Sequence, residues 1–217
     1  MITNLCFHGI GVCTQEREDG EARYWITSDV LRGILDLAHD RPDIKLSFDD
    51  GNRSDADVAL PALRERNLSA TFFALAGRLQ DPASLSPADL RELRNKGMGI
   101  GTHGWSHIPW RGLSHDDARR EFVDAREALS EVSGGEILDA ALPLGRYDRR
   151  LLSQLRDASY RTVFTSDRFR ARSGSWLQAR YSVTASDTVD TVRAVLTSRA
   201  SVPEVRNFTA SLVKRIR

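Results

Sequence analysis

The sequence predicts an α/β fold in which parallel strands are flanked by helices. Short apolar runs of strand length alternate with helical patterns along the chain, and no repeat or low-complexity tract interrupts them. About seven strands are predicted in this way, and both a barrel and a doubly wound sheet fit that number. The length of 217 residues favours one domain, residues 1–217, which is large enough to bury its own core.

The predicted strands are short apolar segments bounded by polar residues, glycine or proline. They lie at Asn4–His8, Ile44–Phe48, Ala70–Leu75, Met98–Thr102, Ile137–Leu142, Arg161–Thr165 and Leu177–Val183.

The helices predicted between these strands carry apolar residues at helical spacing. They lie at Asp29–His39, Asp55–Arg66, Pro87–Lys96, Ser114–Ser130, Arg149–Ser159 and Thr188–Ser198, the last clear helix. Ser28 and Ser114 are expected to cap two of them, and Pro87 and Gly97 bound a third. The Arg-rich segment Ser166–Trp176 is predicted to be a loop.

Composition excludes several classes of protein. Hydrophobic residues make up 41% and charged residues 28%, which argues against a mostly disordered chain. The formal net charge of +1 provides no overall field for nucleic-acid binding. The basic end, Arg206–Arg217, is interpreted as a solvated terminal helix. Cys6 and Cys13 are too sparse to form a disulfide framework.

The N-terminal segment gives the expected compartment. Met1–Val12 lacks the basic segment and long apolar run of a secretory signal peptide. No apolar stretch approaches the roughly 20 residues that a transmembrane helix requires. The cytoplasm is therefore the expected location.

An acidic pair ends the second predicted strand, in the sequence Phe48-Asp49-Asp50-Gly51. Because side chains alternate along a strand, the two carboxylates point in different directions and can take different roles. Acidic pairs before glycine are also common in turns, so the pair by itself indicates little.

Two histidines, His103 and His107, follow a later predicted strand at a spacing of four. Gly104 and Pro109 favour a turn here, in which both imidazoles can converge. A pair of surface histidines is the alternative. Combined with the acidic pair, however, two histidines and one carboxylate leave open coordination positions on a metal, and the other carboxylate can serve as a base. This set of residues predicts metal-assisted hydrolysis.

These motifs resemble those of the polysaccharide deacetylase family, carbohydrate esterase family 4. Ser47-Phe48-Asp49-Asp50-Gly51 is similar to the first family motif, and His103 with His107 is similar to the His-x-x-x-His motif. The segment Leu142–Asp148 resembles the Pro-Tyr-Gly version of the third motif. The resemblance covers roughly Asn4–Val183. It implies a distorted barrel of seven β–α units, with Asp49 as base and with Asp50, His103 and His107 as ligands of a divalent ion.

The chain departs from the family pattern at three places. Gly104 stands where the family usually has Ser or Thr, whose hydroxyl would steady the loop. The arginine of the usual third motif is absent, and Arg180 resembles the arginine that pairs with the base in the Pro-Tyr-Gly branch. A surface residue on a strand edge is the alternative for Arg180. The C-terminal Leu-x-Ile-His motif is also absent, and His8 resembles an N-terminal histidine that takes its place as acid in one branch.

The resemblance implies hydrolysis of an N-acetyl group on a sugar. Zinc is the expected metal, although two histidines and a carboxylate also accept cobalt, nickel or iron. Aromatic and neighbouring residues near the motifs are expected to bind the sugar: Trp105, Pro143, Tyr147 and Trp176. Two alternatives remain at this point, namely hydrolysis of another C–N bond, formyl or cyclic amide, and a decayed site that only binds carbohydrate.

Overall fold

Seven parallel strands form a closed barrel in chain order in the computed structural model, which describes residues 1–198 and 202–217. The strands are β1 Thr3–Phe7, β2 Ile44–Asp49, β3 Thr71–Ala74, β4 Gly99–Thr102, β5 Asp139–Ala141, β6 Thr162–Thr165 and β7 Leu177–Ser182. The barrel closes where β1 pairs with β7, with Asn4 opposite Arg180. The predicted (β/α)7 barrel is confirmed, and the doubly wound alternative is wrong because such a sheet has two open edges.

Helices cover the outside of the barrel. They are α1 Ser28–Ala38, α2 Leu60–Arg64, α3 Pro87–Asn95, α4 His115–Arg119, α5 Ala125–Ser133, α6 Arg149–Asp157, α7 Val189–Thr197 and α8 Val202–Ile216. The predicted element positions are confirmed for the most part, with boundaries that shift by one to a few residues.

One detail of the helix prediction is wrong. Thr27, not Ser28, caps α1, because its hydroxyl accepts a hydrogen bond from the Val30 N–H at 3.3 Å. The helix predicted at Thr188–Ser198 is confirmed as α7, and the terminal helix expected at Arg206–Arg217 is confirmed as α8, which begins earlier, at Val202. This terminal helix also exposes large apolar side chains, among them Phe208 and Leu212.

Two predicted helices contain a wider π turn. In the first, the π turn Asp55–Ala59 leads directly into α2. In the second, the π turn Arg120–Asp124 joins α4 to α5. Single π turns inside α-helices accommodate an extra residue and are frequent at functional sites. Each of these two turns holds a fully buried acid, Asp55 or Glu121.

Alternation along the strands separates the core into two regions. On β2, Leu46 and Phe48 face the helices, whereas Ser47 and Asp49 face the barrel interior, where Arg180 of β7 meets both of them. Apolar side chains therefore fill the layer between strands and helices, whereas the barrel interior holds polar and charged side chains together with the rings of Phe73 and Phe164. Among the described residues, no helix is long and apolar enough to span a membrane.

Replacing Phe72 by Ala should lower the free energy of unfolding by about 3–5 kcal/mol, because it leaves a cavity in the strand–helix layer. Phe72 is fully buried and stacks on Phe48 with ring centroids 4.9 Å apart. Urea unfolding measures the change. The matched control is Phe208→Ala on α8, whose side chain is 45% exposed and whose loss should be about 1 kcal/mol or less. Equal losses in the two variants would contradict the assignment of the core.

Candidate active site

The candidate site lies at the carboxyl ends of the strands. Asp49 is the last residue of β2, and His103 directly follows β4. Asp50 adopts a left-handed backbone conformation with φ of 73°, which is uncommon for a residue with a side chain. Backbone strain of this kind persists where the surrounding structure holds it, and it concentrates at functional sites. The strained turn swings the Asp50 carboxylate toward the two histidines.

Asp50, His103 and His107 bring three metal-ligating atoms together. One donor atom from each residue lies within 4.8 Å of the others. The Asp50 Oδ1 atom is 3.5 Å from Nε2 of His103 and 3.3 Å from Nε2 of His107. This Oδ1 is buried and has no hydrogen-bond partner among the described residues. A buried carboxylate oxygen that faces two imidazole nitrogens without such a partner fits a bound cation.

Hydrogen bonds on the far side of both imidazoles prepare them as ligands. His103 Nδ1 donates to the Ala141 carbonyl at 2.8 Å, and His107 Nδ1 donates to the Glu18 carboxylate at 2.6 Å. Each bond places the proton on Nδ1 and leaves the Nε2 lone pair free toward Asp50. Burial lowers the pKa of His103 to about 4, so this imidazole is neutral at neutral pH. Neutral imidazole is the form that binds metals.

Asp49 and Arg180 form a fully buried ion pair inside the barrel. Two guanidinium nitrogens donate to the two carboxylate oxygens at 2.6 and 2.7 Å. The guanidinium also lies beside the rings of Phe73 and Phe164, at 5.2 and 5.7 Å from their centroids. Burial by itself would raise the pKa of Asp49, but the positive charge of Arg180 and its hydrogen bonds to the carboxylate hold that pKa well below its usual range. Asp49 therefore stays ionised throughout the physiological range.

His8 lies next to this pair. Atoms of Cys6, His8 and Asp49 that can bind a metal lie within 4.8 Å of one another, although burial raises the pKa of the Cys6 thiol well above its usual value. The His8 ring packs on Tyr24 with centroids 4.7 Å apart. Its Nδ1 atom is buried and has no hydrogen-bond partner among residues 1–198 and 202–217. The predicted neighbours His8 and Asp49 are thus brought together at the end of β1.

The segment between β1 and α1, residues 8–27, supplies a residue that sequence reasoning missed. Glu18 binds His107 through one carboxylate oxygen and forms an ion pair with Arg78 through the other. Glu18 is distant from His107 in the chain and lies in a segment without helix or strand periodicity. No sequence pattern indicates the contact, which depends on how this segment crosses the end of the barrel.

A cavity of about 260 Å³ opens over the site. Its lining includes Asp49, Asp50, His103, His107 and Arg180. Its wall includes Glu18 and Tyr24 from the β1–α1 segment and Leu144 and Arg146 from the segment after β5. Leu144 has a left-handed φ of 55° and a side chain that is 53% exposed, so it forms an apolar part of the rim.

The four residues predicted to bind the sugar lie outside the lining of this cavity. Tyr147 is buried, and its hydroxyl donates to Asp167 at 2.6 Å. Pro143 is buried beside it in the turn after β5. Trp176 donates its indole N–H to a backbone carbonyl at 2.8 Å, and Trp105 packs against the core with Arg120 over its ring. Each of the three aromatic side chains contacts other parts of the protein. The sequence pattern does not distinguish such a side chain from one that faces a sugar.

Comparison with known proteins relates both sequence and fold to deacetylases. A family model described as polysaccharide deacetylase matches residues 37–163. The chain is 31% identical over 114 residues to the peptidoglycan-N-acetylmuramic acid deacetylase PdaC of Bacillus subtilis, a match that covers 52% of this chain and 24% of that protein. It is 28% identical over 115 residues to a peptidoglycan-N-acetylglucosamine deacetylase of Bacillus cereus, covering 48% and 40% of the two chains. The chain spans less than half the length of these curated relatives.

Solved structures share the whole fold. The deacetylase PplD of Streptococcus pyogenes superposes with a TM-score of 0.79 at 20% identity and covers 91% of this chain and 98% of its own. IcaB from Ammonifex degensii gives a TM-score of 0.75 at 21% identity, with 91% and 97% covered. Identities this low establish a common barrel and no more.

Replacing Arg180 by Met should lower the free energy of unfolding by about 3–5 kcal/mol at pH 7 in the metal-free protein, because Asp49 is then buried without its counter-charge. The ionised Asp49 stabilises the native protein above its unfolded-state pKa of about 4, and this stabilisation is lost as the pH falls through the lower folded-state pKa. Without Arg180, burial raises the pKa of Asp49. The difference in the free energy of unfolding between wild type and variant should therefore narrow as the pH falls. Urea unfolding at pH 7 and pH 4 with a chelator present measures it.

The control is Arg161→Met. Arg161 makes the same two-nitrogen contact with Asp139, but its side chain is 63% exposed, so its loss should be 1 kcal/mol or less. A pH-independent loss in the Arg180 variant would contradict the role of the buried charge.

Replacing Glu18 by Gln should weaken Co²⁺ binding by about 10-fold, because the neutral amide holds the His107 imidazole less firmly and makes it a weaker ligand. Titration of the metal-free protein monitored by Co²⁺ absorption measures the affinity. Asp19→Asn is the control, since Asp19 lines the same cavity and its loss removes the same charge while the His107 hydrogen bond stays in place. Equal effects of the two variants would assign the change to net charge alone.

Proposed function

Because the chain belongs to the polysaccharide deacetylase family, we propose that it is a metal-dependent hydrolase that removes an N-acetyl group from a sugar and releases acetate. The observation that carries the proposal is the Asp50 Oδ1 atom, which faces Nε2 of His103 and of His107 beside the ionised Asp49. A ligand set of two imidazoles and one carboxylate, with a separate carboxylate next to it, suits the hydrolysis of an unactivated amide.

Asp50, His103 and His107 would hold the metal. The donor set fits a divalent ion, since both imidazoles are oriented by hydrogen bonds and the carboxylate oxygen between them lacks a partner. When bound, such an ion polarises an amide carbonyl and makes water more acidic. We propose zinc, while cobalt, nickel and iron also suit these ligands.

Asp49 is proposed to accept the proton of the attacking water. Its contact with Arg180 fixes the plane of the carboxylate and keeps it ionised. The same contact makes Asp49 a weak base, so its contribution depends on position more than on basicity. The burial of the pair favours this role, because a charge held in place without mobile water needs no reorganisation during the reaction.

His8 is proposed to give a proton to the leaving amine. It lines the cavity together with the ligand set and lies close to Asp49. Its ring is held by Tyr24, and its buried Nδ1 leaves Nε2 as the atom that can serve the cavity. The C-terminal family motif that usually supplies the acid is absent from this chain. The position of His8 supports its use as the acid instead.

The substrate class follows from the relatives and from the cavity. The two curated relatives are named for peptidoglycan sugars that carry N-acetyl groups. The cavity is small and open, with an apolar rim at Leu144. We propose that one acetamido group enters it while the remainder of an N-acetylated glycan stays outside.

Acetate release from N-acetylglucosamine oligomers and peptidoglycan fragments, measured with Zn²⁺ or Co²⁺ present, tests the proposal. Asp50→Ala and His103→Ala should lose both bound metal and activity. Asp49→Asn and His8→Gln should keep the metal and lose about 10²–10⁴-fold in kcat. The control His115→Ala removes a histidine whose side chain is 93% exposed and should change neither property.

Outcomes that oppose the proposal are specific. Full metal-dependent activity in Asp50→Ala and His103→Ala would overturn the ligand assignment. Activity only on N-formyl sugars or cyclic ureides would move the enzyme to another C–N bond. Binding of oligosaccharide by the metal-loaded protein without acetate release would indicate a carbohydrate-binding protein.

A further inference from the structure

The loop that carries both proposed histidine ligands has an irregular backbone. Gly104 has φ of 90° and His107 has φ of 58°, so two of its five residues lie in the left-handed region. Trp105 and Ser106 lie between them and belong to no strand or helix, so their N–H groups have no partner in a regular hydrogen-bond ladder. Partly buried N–H groups require acceptors, because an unpaired one costs about 1–3 kcal/mol.

Glu121 provides these acceptors. One oxygen accepts from the Trp105 N–H at 2.8 Å and the other from the Ser106 N–H at 3.0 Å. The Trp110 indole N–H also donates to Glu121, at 3.1 Å. Glu121 is only 1% exposed. Its buried carboxylate therefore accepts hydrogen bonds from the loop and from the Trp110 ring.

The local helix is shaped around this contact. Glu121 is the second residue of the π turn Arg120–Asp124, which separates α4 from α5. A π turn is rare and accommodates one extra residue, which rotates the following side chains around the helix axis. The long helix thus departs from regular geometry at the residue that reaches the metal loop.

Gly104 provides a second, independent observation. A Cβ atom at this position would lie 2.2 Å from Oε2 of Glu121 and 2.9 Å from Nε1 of Trp110. A serine or threonine after the first histidine, which the family resemblance leads one to expect, therefore does not fit here. In this chain a carboxylate from a different helix occupies the space next to Gly104 and binds the loop.

We propose that Glu121 is a positioning residue for the metal site, which fixes the loop so that Nε2 of His107 faces Asp50. The proposal rests on the metal site proposed above and not on the identity of the substrate. The His103 ring has its own anchor in the Ala141 carbonyl, whereas the His107 backbone follows directly on the two N–H groups that Glu121 binds. Loss of Glu121 should therefore displace His107 more than His103.

The experiment measures Co²⁺ and Zn²⁺ affinity of the full chain, with Co²⁺ absorption reporting the number of ligands. Glu121→Gln should bind both ions about 10–100-fold more weakly, because an amide nitrogen then faces N–H donors. Saturating metal should restore most of the activity, as a positioning role predicts. Glu204→Gln is the matched control: Glu204 is also buried, accepts from Arg170 N at 2.8 Å, and should leave metal affinity unchanged.

A milder variant covers the case in which Glu121→Gln does not fold. Trp110→Phe removes only the indole donor, keeps a ring in place, and should weaken metal binding a few-fold. The proposal would be overturned if a folded Glu121→Gln protein bound metal within 2-fold of the wild-type affinity. If only Trp110→Phe folds, the same result in that variant would overturn it. So would a wild-type chain that binds neither ion, whereas metal binding without acetate release would overturn the proposed function alone.

Discussion

The buried contact between Asp49 and Arg180 is the constraint around which the barrel end is built. A carboxylate and a guanidinium without access to water each cost several kcal/mol, so each must be compensated by the other and by additional hydrogen bonds. The structure meets this demand with two short charge-assisted bonds, a third bond from Arg180 to Ser47 Oγ at 3.1 Å, and two aromatic rings beside the guanidinium. The partners come from β2 and β7, which are not neighbours, so this pair spans the barrel interior across β1.

Closure of the barrel makes this arrangement possible. In a sheet with open edges, β1 and β7 would lie far apart, and Arg180 would have no access to Asp49. Closed in chain order, the strands direct every second side chain inward and bring the ends of β1, β2, β4 and β7 around one small space. His8, Asp49, His103 and Arg180 are the residues that result.

Hydrogen bonds to the loop that carries His103 and His107 complete the site. Three acceptors from different parts of the chain bind the histidine loop: the Ala141 carbonyl, the Glu18 carboxylate and the Glu121 carboxylate. Glu18 lies behind the His107 imidazole, and Glu121 lies behind the N–H groups of the loop. Both carboxylates add negative potential around the proposed cation position, in addition to the charge of Asp50. The missing hydroxyl at Gly104 is thus not a defect in the loop, because the space and the donors are both taken by Glu121.

The sequence by itself determined the order of strands and helices, since the periodicity of apolar residues reflects burial on one face of each element. It also identified Asp49, Asp50, His103 and His107, because these lie directly after strands in short motifs. It singled out Arg180 and His8 only through family resemblance, and only tertiary structure brought them beside Asp49. Closure of the barrel was likewise predicted only through that resemblance. The π turns, the contacts of Glu18 and Glu121, the buried position of Tyr147 and the half-buried position of Trp176 were decided by tertiary structure. The physical reason is that these features depend on contacts between residues distant in the chain, which no local pattern of spacing or composition encodes.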